Sequence, residues 1–161
     1  MILITGGVRS GKSTIALELA RKFKEPRLFI ATSEPFDTEM KRKIKAHKRS
    51  RGNGFILREE PTEIFRPLKT DKFSVCVIDC VTTWVGNLMH HGKDPKKYFD
   101  SFLRALTGKE IIVTNEVGWG VIPADADSRQ YINLLGDINK KLAARADNVY
   151  LMVSGIKVKI K

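Results

Sequence analysis

The chain has 161 residues, 42% of them hydrophobic and 29% charged, with a formal net charge of +11. That size and balance fit one globular domain over residues 1–161 and exclude a disordered chain. No apolar run reaches the roughly 18 residues of a membrane span, and a glycine-rich motif occupies the place of a signal peptide, so a cytoplasmic protein is expected.

Met1–Thr5 reads as a short apolar strand. It runs into Gly6-Gly7-Val8-Arg9-Ser10-Gly11-Lys12-Ser13, which fits the G-x-x-x-x-G-K-[S/T] phosphate-binding loop. In such a loop backbone N–H groups cradle phosphates. Lys12 reaches the β- and γ-phosphates, and the Ser13 hydroxyl takes a Mg²⁺ position. The positive end of the next helix adds a favourable field for anions. That helix is expected over Lys12–Phe23, with Ile15, Ala16, Leu19, Ala20 and Phe23 on one face.

Arg27–Ala31 is a second strand, followed by a loop from Thr32 to Phe36. Asp37 can cap a helix running to about Arg49, with Met40, Ile44 and His47 along one side. The segment Lys41 to Arg51 concentrates seven cations. It lacks the interleaved aromatic residues of a nucleic-acid surface, so no nucleic-acid partner is expected. Asn53–Gly54 signals a turn, Phe55–Arg58 a short strand, and Pro61 the start of a short helix.

Ser74–Asp79 is a continuous apolar strand ending in an acid. Val81–Met89 and Pro95–Leu106 are predicted helices, and Glu110–Thr114 another apolar strand. Asp127 or Ser128 is expected to cap a long helix to Ala146, with Tyr131, Leu134, Leu135, Ile138 and Leu142 as its stripe. Asn148–Val153 is the last core strand. Apolar strands alternating with helices predict an α/β fold: a three-layer sandwich of the P-loop NTPase type, with a mostly parallel central sheet. Cys76 and Cys80 read as thiols in and beside a buried strand rather than as a disulfide or zinc site.

Ligands of parallel sheets gather at the carboxyl ends of the strands. The residues there are the glycine-rich loop, Ala31-Thr32-Ser33, Asp79 and Asn115-Glu116. Asp79 has the setting of the acid that holds Mg²⁺, directly or through water, in P-loop enzymes; a helix cap or a structural ion pair is the other reading. Glu116 can position a nucleophile, serve as a metal ligand, or simply pair with a nearby base. His47 lies among cations that disfavour imidazolium. A neutral ring there can act as a base or attack phosphorus, and it can equally be a solvated histidine on a basic helix. His90 and His91 read as surface residues at a helix end.

Several motifs recur together. They are Gly6–Ser13, Ala31-Thr32-Ser33, Glu39-Met40, Ile44-x-x-His47-Lys48-x-x-Arg51, Asp79-Cys80-Val81-Thr82-Thr83-Trp84-Val85-x-Asn87-Leu88, Thr114-Asn115-Glu116-Val117-Gly118-x-Gly120-x-x-Pro123, Asn139-x-x-Leu142-Ala143 and the closing Val153-Ser154-Gly155-Ile156-x-Val158-Lys159-Ile160-Lys161. Over nearly the whole chain this combination resembles the bifunctional adenosylcobinamide kinase / adenosylcobinamide-phosphate guanylyltransferase family of cobalamin biosynthesis.

The resemblance implies two reactions. A nucleoside triphosphate, ATP or GTP, phosphorylates the hydroxyl of the aminopropanol arm of adenosylcobinamide. GTP then gives its α-phosphate to a histidine, and the GMP passes to the cobinamide phosphate. The histidine at the guanylylated position is His47. Gly6–Ser13, Ala31–Ser33 and Lys48, Arg49, Ser50 and Arg51 would line the nucleotide site. Glu59 and Asp79 match acidic positions near the nucleotide, where a carboxylate can accept from guanine N1–H and the 2-amino group together. Mg²⁺ and a homotrimer complete what the resemblance implies. The residues by themselves leave a plain P-loop small-molecule kinase, with His47 incidental, as the competing reading.

Overall fold

The computed structural model describes residues 1–34 and 54–161. The expected Asp37–Arg49 helix and the residues His47, Lys48, Arg49, Ser50 and Arg51 lie outside the described residues.

Seven strands form one sheet: β1 (Ile2–Gly6), β2 (Arg27–Ala31), β3 (Phe55–Glu59), β4 (Val75–Asp79), β5 (Glu110–Val113), β6 (Asn148–Val153) and β7 (Ile156–Lys159). Their order is β3-β2-β4-β5-β1-β6-β7. All neighbours are parallel except β6 and β7. β4 and β5 are buried on both faces over nearly all their length. This is why Val75–Ile78 and Ile111–Val113 are unbroken Val, Ile and Cys rather than an alternating pattern. Cys76 and Cys80 are both free thiols.

Five described helices cover the sheet: α1 (Lys12–Ala20), α2 (Phe65–Thr70), α3 (Val81–His90), α4 (Pro95–Ala105) and α5 (Ala126–Arg145). On one face α1 buries Ala16, Leu17 and Ala20 against Ile4, Phe29, Val77 and Val113. On the other, Trp84, Phe102, Leu135 and Ile138 from α3, α4 and α5 pack over Leu3, Leu28, Ile78 and Ile112. Trp84 is fully buried, and its indole N–H finds the Thr62 carbonyl at 2.6 Å. The expected three-layer α/β sandwich with a mostly parallel sheet is present.

Three local expectations are corrected, and one exposed strand is added beyond the last core strand. α1 ends at Ala20, so Phe23 lies past the helix and is 45% exposed. Pro61 does not open a helix. The Glu60 carboxylate accepts from the Thr62 and Glu63 amides at 3.1 and 2.8 Å, tying that stretch into a turn, and α2 begins at Phe65. α5 is capped by Asp125, whose Oδ1 accepts from the Ser128 amide at 2.7 Å, with Asp127 inside the first turn. Finally, the end of the chain does not stop at β6. Ser154 and Gly155 take φ values of 50° and 84°, the positive pair that a two-residue hairpin needs, and β7 returns antiparallel along β6.

Candidate active site

The glycine-rich loop sits where β1 meets α1, at the carboxyl edge of the sheet. Gly6 takes φ 139°, and a Cβ there would stand 2.3 Å from the Met152 carbonyl oxygen of β6. Glycine is required because the loop leaves the sheet hard against a neighbouring strand. Ser10 is buried while Gly7, Val8 and Arg9 face outward. The loop is braced from the far end of the chain, since the Gly155 amide of the β6–β7 turn donates to the Ser10 carbonyl at 3.2 Å.

Lys12 is only 7% exposed. Its Nζ donates to the Gly7 carbonyl at 2.5 Å and lies 3.4 Å from Ser10 Oγ. Burial pushes the ammonium below its ordinary range, while Cys80 and Asp79 pull the other way. The ammonium is thus curled over the loop from beneath. α1 has Gly11 at its N-cap and so no side-chain cap, whereas Cys80, Asp94 and Asp125 cap α3, α4 and α5. The amides opening α1 are left to an anion.

Ala31 ends β2 and pairs in register with Asp79 on one side and Glu59 on the other. The three residues therefore line one edge. Thr32 is fully buried, and both its hydroxyl and its carbonyl are engaged in the protein. Its hydroxyl exchanges hydrogen bonds with the Cys80 backbone, and its carbonyl accepts from Asn87 Nδ2 at 2.7 Å. Ser33 and Glu34 are half-buried, and Glu34 Oε2 meets His91 Nε2 at 2.8 Å. His90 and His91 are exposed at the end of α3, as expected, and His91 is also tied to the segment after β2.

Asp79 does not cap α3. Cys80 does, its sulfur accepting from the Thr83 amide. The Asp79 carboxylate instead acts on Lys12, whose ammonium it favours. The Ser13 hydroxyl is half-buried and has no partner among the described residues. A hydroxyl in the first turn of the helix and an acid in the field of Lys12 fit a magnesium ion that takes its other ligands from phosphate oxygens and water. Among the described residues no group of three or more His, Cys, Asp or Glu forms a metal cluster, and such an ion needs none.

Glu116 follows β5 and is anchored twice to β1. Its amide donates to the Gly6 carbonyl at 3.2 Å, and its Oε1 accepts from Thr5 Oγ1 at 2.6 Å. Asn139 on α5 reaches the same oxygen at 3.5 Å and the Asn115 carbonyl at 3.1 Å. Asn139 also accepts from buried Thr114 Oγ1 at 2.8 Å. Neutral donors, rather than a base, hold this acid. A pocket of about 390 Å³ opens beside it, between residues 115–118 and α5. Asn139 and Thr5 had no place among the expected site residues. The signal that could have found them is their chain position, at the end of β1 and one helical turn before Leu142 on the buried stripe.

The fold can be compared with solved structures. A type III secretion system ATPase superposes with a TM-score of 0.53 at 12% identity, covering 98% of this chain and 56% of that one, a likeness of fold alone. Sequence relatives are nearer. The bifunctional adenosylcobalamin biosynthesis protein CobU of Salmonella typhimurium is 37% identical over 183 residues, covering 100% of this chain and 99% of the relative. CobU of Escherichia coli is 35% identical over 181 residues with the same coverage. CobP of Pseudomonas aeruginosa is 33% identical over 167 residues, 99% of this chain and 96% of the relative. A sequence model described as cobinamide kinase / cobinamide phosphate guanyltransferase matches residues 2–160. With a phosphate loop, its buried lysine and the acids Glu59 and Asp79 on either side of the β2 end already in place, the chain belongs to the cobinamide kinase / cobinamide phosphate guanyltransferase family.

Proposed function

We propose that this enzyme of cobalamin biosynthesis runs both reactions of its family from one nucleotide site. The observation that carries this reading is the single phosphate loop with buried Lys12, within a family match that spans nearly the whole chain. In the first reaction a nucleoside triphosphate lies with its phosphates along Gly6–Ser13 and gives its γ-phosphoryl group to the hydroxyl of adenosylcobinamide. Lys12 and the α1 amides stabilise charge on the phosphate oxygens. Mg²⁺, held by Ser13 and by Asp79 through water, would neutralise charge between the phosphates.

In the second reaction a ring nitrogen of His47 attacks the α-phosphorus of GTP. A P–N bond forms and pyrophosphate leaves with the electrons of the broken P–O bond. A phosphate oxygen of adenosylcobinamide phosphate then takes the GMP, and the P–N bond breaks. Lys48, Arg49, Ser50 and Arg51 accompany His47 on the nucleotide. Glu59 reads guanine, because Asp79 is committed to the Lys12 end of the site. Ala31–Ser33 close the site between them.

The test is covalent. GTP labelled on the α-phosphate should leave an acid-labile, alkali-stable label on denatured protein, and His47→Ala should abolish it. Absence of label from the wild type would sink the guanylyltransferase half and leave a plain P-loop kinase. We further assign a cytoplasmic location and a homotrimer; among the described residues no helix is long and apolar enough to cross a membrane. Sedimentation equilibrium decides the oligomer.

A further inference from the structure

We infer that the pocket beside Glu116 receives the hydroxyl-bearing arm of the phosphoryl acceptor, and that Glu116 Oε2 takes the hydroxyl proton. This rests on the kinase reading above and assigns the acceptor side of it.

Three observations converge. The first is attachment. Glu116 is bonded through its backbone to Gly6, the first residue of the phosphate loop, and through its side chain to Thr5, the residue before it. Its carboxylate is therefore fixed relative to the phosphates by the strand that delivers them. The second is asymmetry. Oε1 takes the donors, Thr5 Oγ1 and Asn139 Nδ2, while Oε2 has no hydrogen-bond partner among the described residues. A carboxylate oriented through one oxygen presents the other in a defined direction, as a positioned base requires. The third is space. The adjoining cavity of about 390 Å³ is lined by Asn115, Asn133, Asp137 and Lys140 as well as by Glu116. Amides and charges of both signs, set beside Val117, Ile132 and Leu135, suit an amide-linked arm that carries both polar groups and short apolar carbons.

The step balances on these atoms. The acceptor oxygen forms a bond to the γ-phosphorus. The bond from that phosphorus to the β,γ-bridging oxygen breaks, and the nucleoside diphosphate leaves with the electron pair. The hydroxyl proton passes to Glu116 Oε2. Histidine guanylylation uses no hydroxyl acceptor, so this carboxylate serves the first reaction only.

The experiment compares the two reactions in one variant. Glu116→Gln keeps a carbonyl oxygen for Thr5 and Asn139 but cannot take a proton. Phosphorylation of adenosylcobinamide should fall by about 100-fold or more, the usual range for losing a positioned base. Label transfer from α-labelled GTP to the protein should stay within about threefold of wild type, a margin well inside that range. Kinase activity kept at the wild-type level would overturn the inference, as would equal loss of both reactions, which marks a merely structural carboxylate. A second variant, Asn133→Trp, fills the pocket mouth. It should raise the KM for adenosylcobinamide and leave that for nucleotide unchanged; an unchanged acceptor KM also overturns the assignment. Wild-type protein that phosphorylates no cobinamide would fail the family reading itself, which the same assay shows before any variant is made.

Discussion

Thr32 and Cys80 exchange two hydrogen bonds across the ends of neighbouring strands. The Cys80 amide donates to Thr32 Oγ1, and that hydroxyl donates to the Cys80 carbonyl, each at 2.8 Å. One side chain thus satisfies the Cys80 amide and shares its carbonyl with the Trp84 amide where the chain turns from β4 into α3. Thr32→Val keeps the shape and removes both bonds, leaving the Cys80 amide without a partner while its carbonyl keeps the Trp84 amide at 3.1 Å. The expected cost is about 1–3 kcal/mol. Urea unfolding should show a lower midpoint at an unchanged slope. A wild-type midpoint would mean that the hydroxyl is not the strut.

Gly6→Ala sets a methyl group 2.3 Å from the Met152 carbonyl at a φ of 139°. The neighbour is backbone of β6 and cannot swing aside. The variant should melt several degrees lower, since a loss of 1 kcal/mol moves Tm by about 2–4 °C in a domain of this size. Gly7→Ala meets nothing within 4 Å and should melt with the wild type. Similar melting of both variants would contradict the close approach of loop and strand.

Lys12→Met should abolish both reactions together, each by a factor on the order of 10²–10³, the scale for losing one transition-state contact. The fold should not suffer, because the ammonium is buried at a desolvation cost that a thioether avoids. Calorimetry without nucleotide should therefore give a Tm no lower than wild type. If α-labelled GTP still marked the protein, a second nucleotide site would have to exist.

The Tyr131 hydroxyl donates to the Thr82 carbonyl at 3.0 Å, and burial, followed by the Cys80 thiolate, pushes its ionisation up to about 12 from 10.0. The native state therefore holds this proton longer than the unfolded chain does. Its contribution to stability is complete below pH 10 and is lost as pH rises from there toward 12. Ultraviolet titration of the three tyrosines should show one late ionisation that vanishes in Tyr131→Phe. Three coincident titrations in the wild type would refute it.

The sheet was legible because buried parallel strands must be apolar throughout, and Val75–Ile78 and Ile111–Val113 offer no other reading. The phosphate loop was legible because its spacing and glycines answer to one geometry. Helix starts were harder. Asp125, Asp127 and Ser128 are all good caps, and only the approach of the chain from Pro123 decides between them. The Cys80 cap was not legible, since sulfur is a weak acceptor and the neighbouring Asp79 is the better candidate. β7 escaped notice because Ile156-Lys157-Val158-Lys159 lies wholly exposed at an edge, where burial imposes no pattern. Thr5 and Asn139 escaped because their role depends on β1 and α5 meeting Glu116, a contact that spans 111 and 23 positions in the chain.

The bond from Gly155 to Ser10 joins the last hairpin to the phosphate loop, and it makes the two ends of the chain thermodynamic partners. Whatever favours the closed hairpin also favours a loop shaped for phosphate. By reciprocity, a triphosphate that orders the loop must tighten the hairpin by the same free energy. Amide exchange at Gly155 would then slow on nucleotide addition, although the residue is not among those expected to line the nucleotide site.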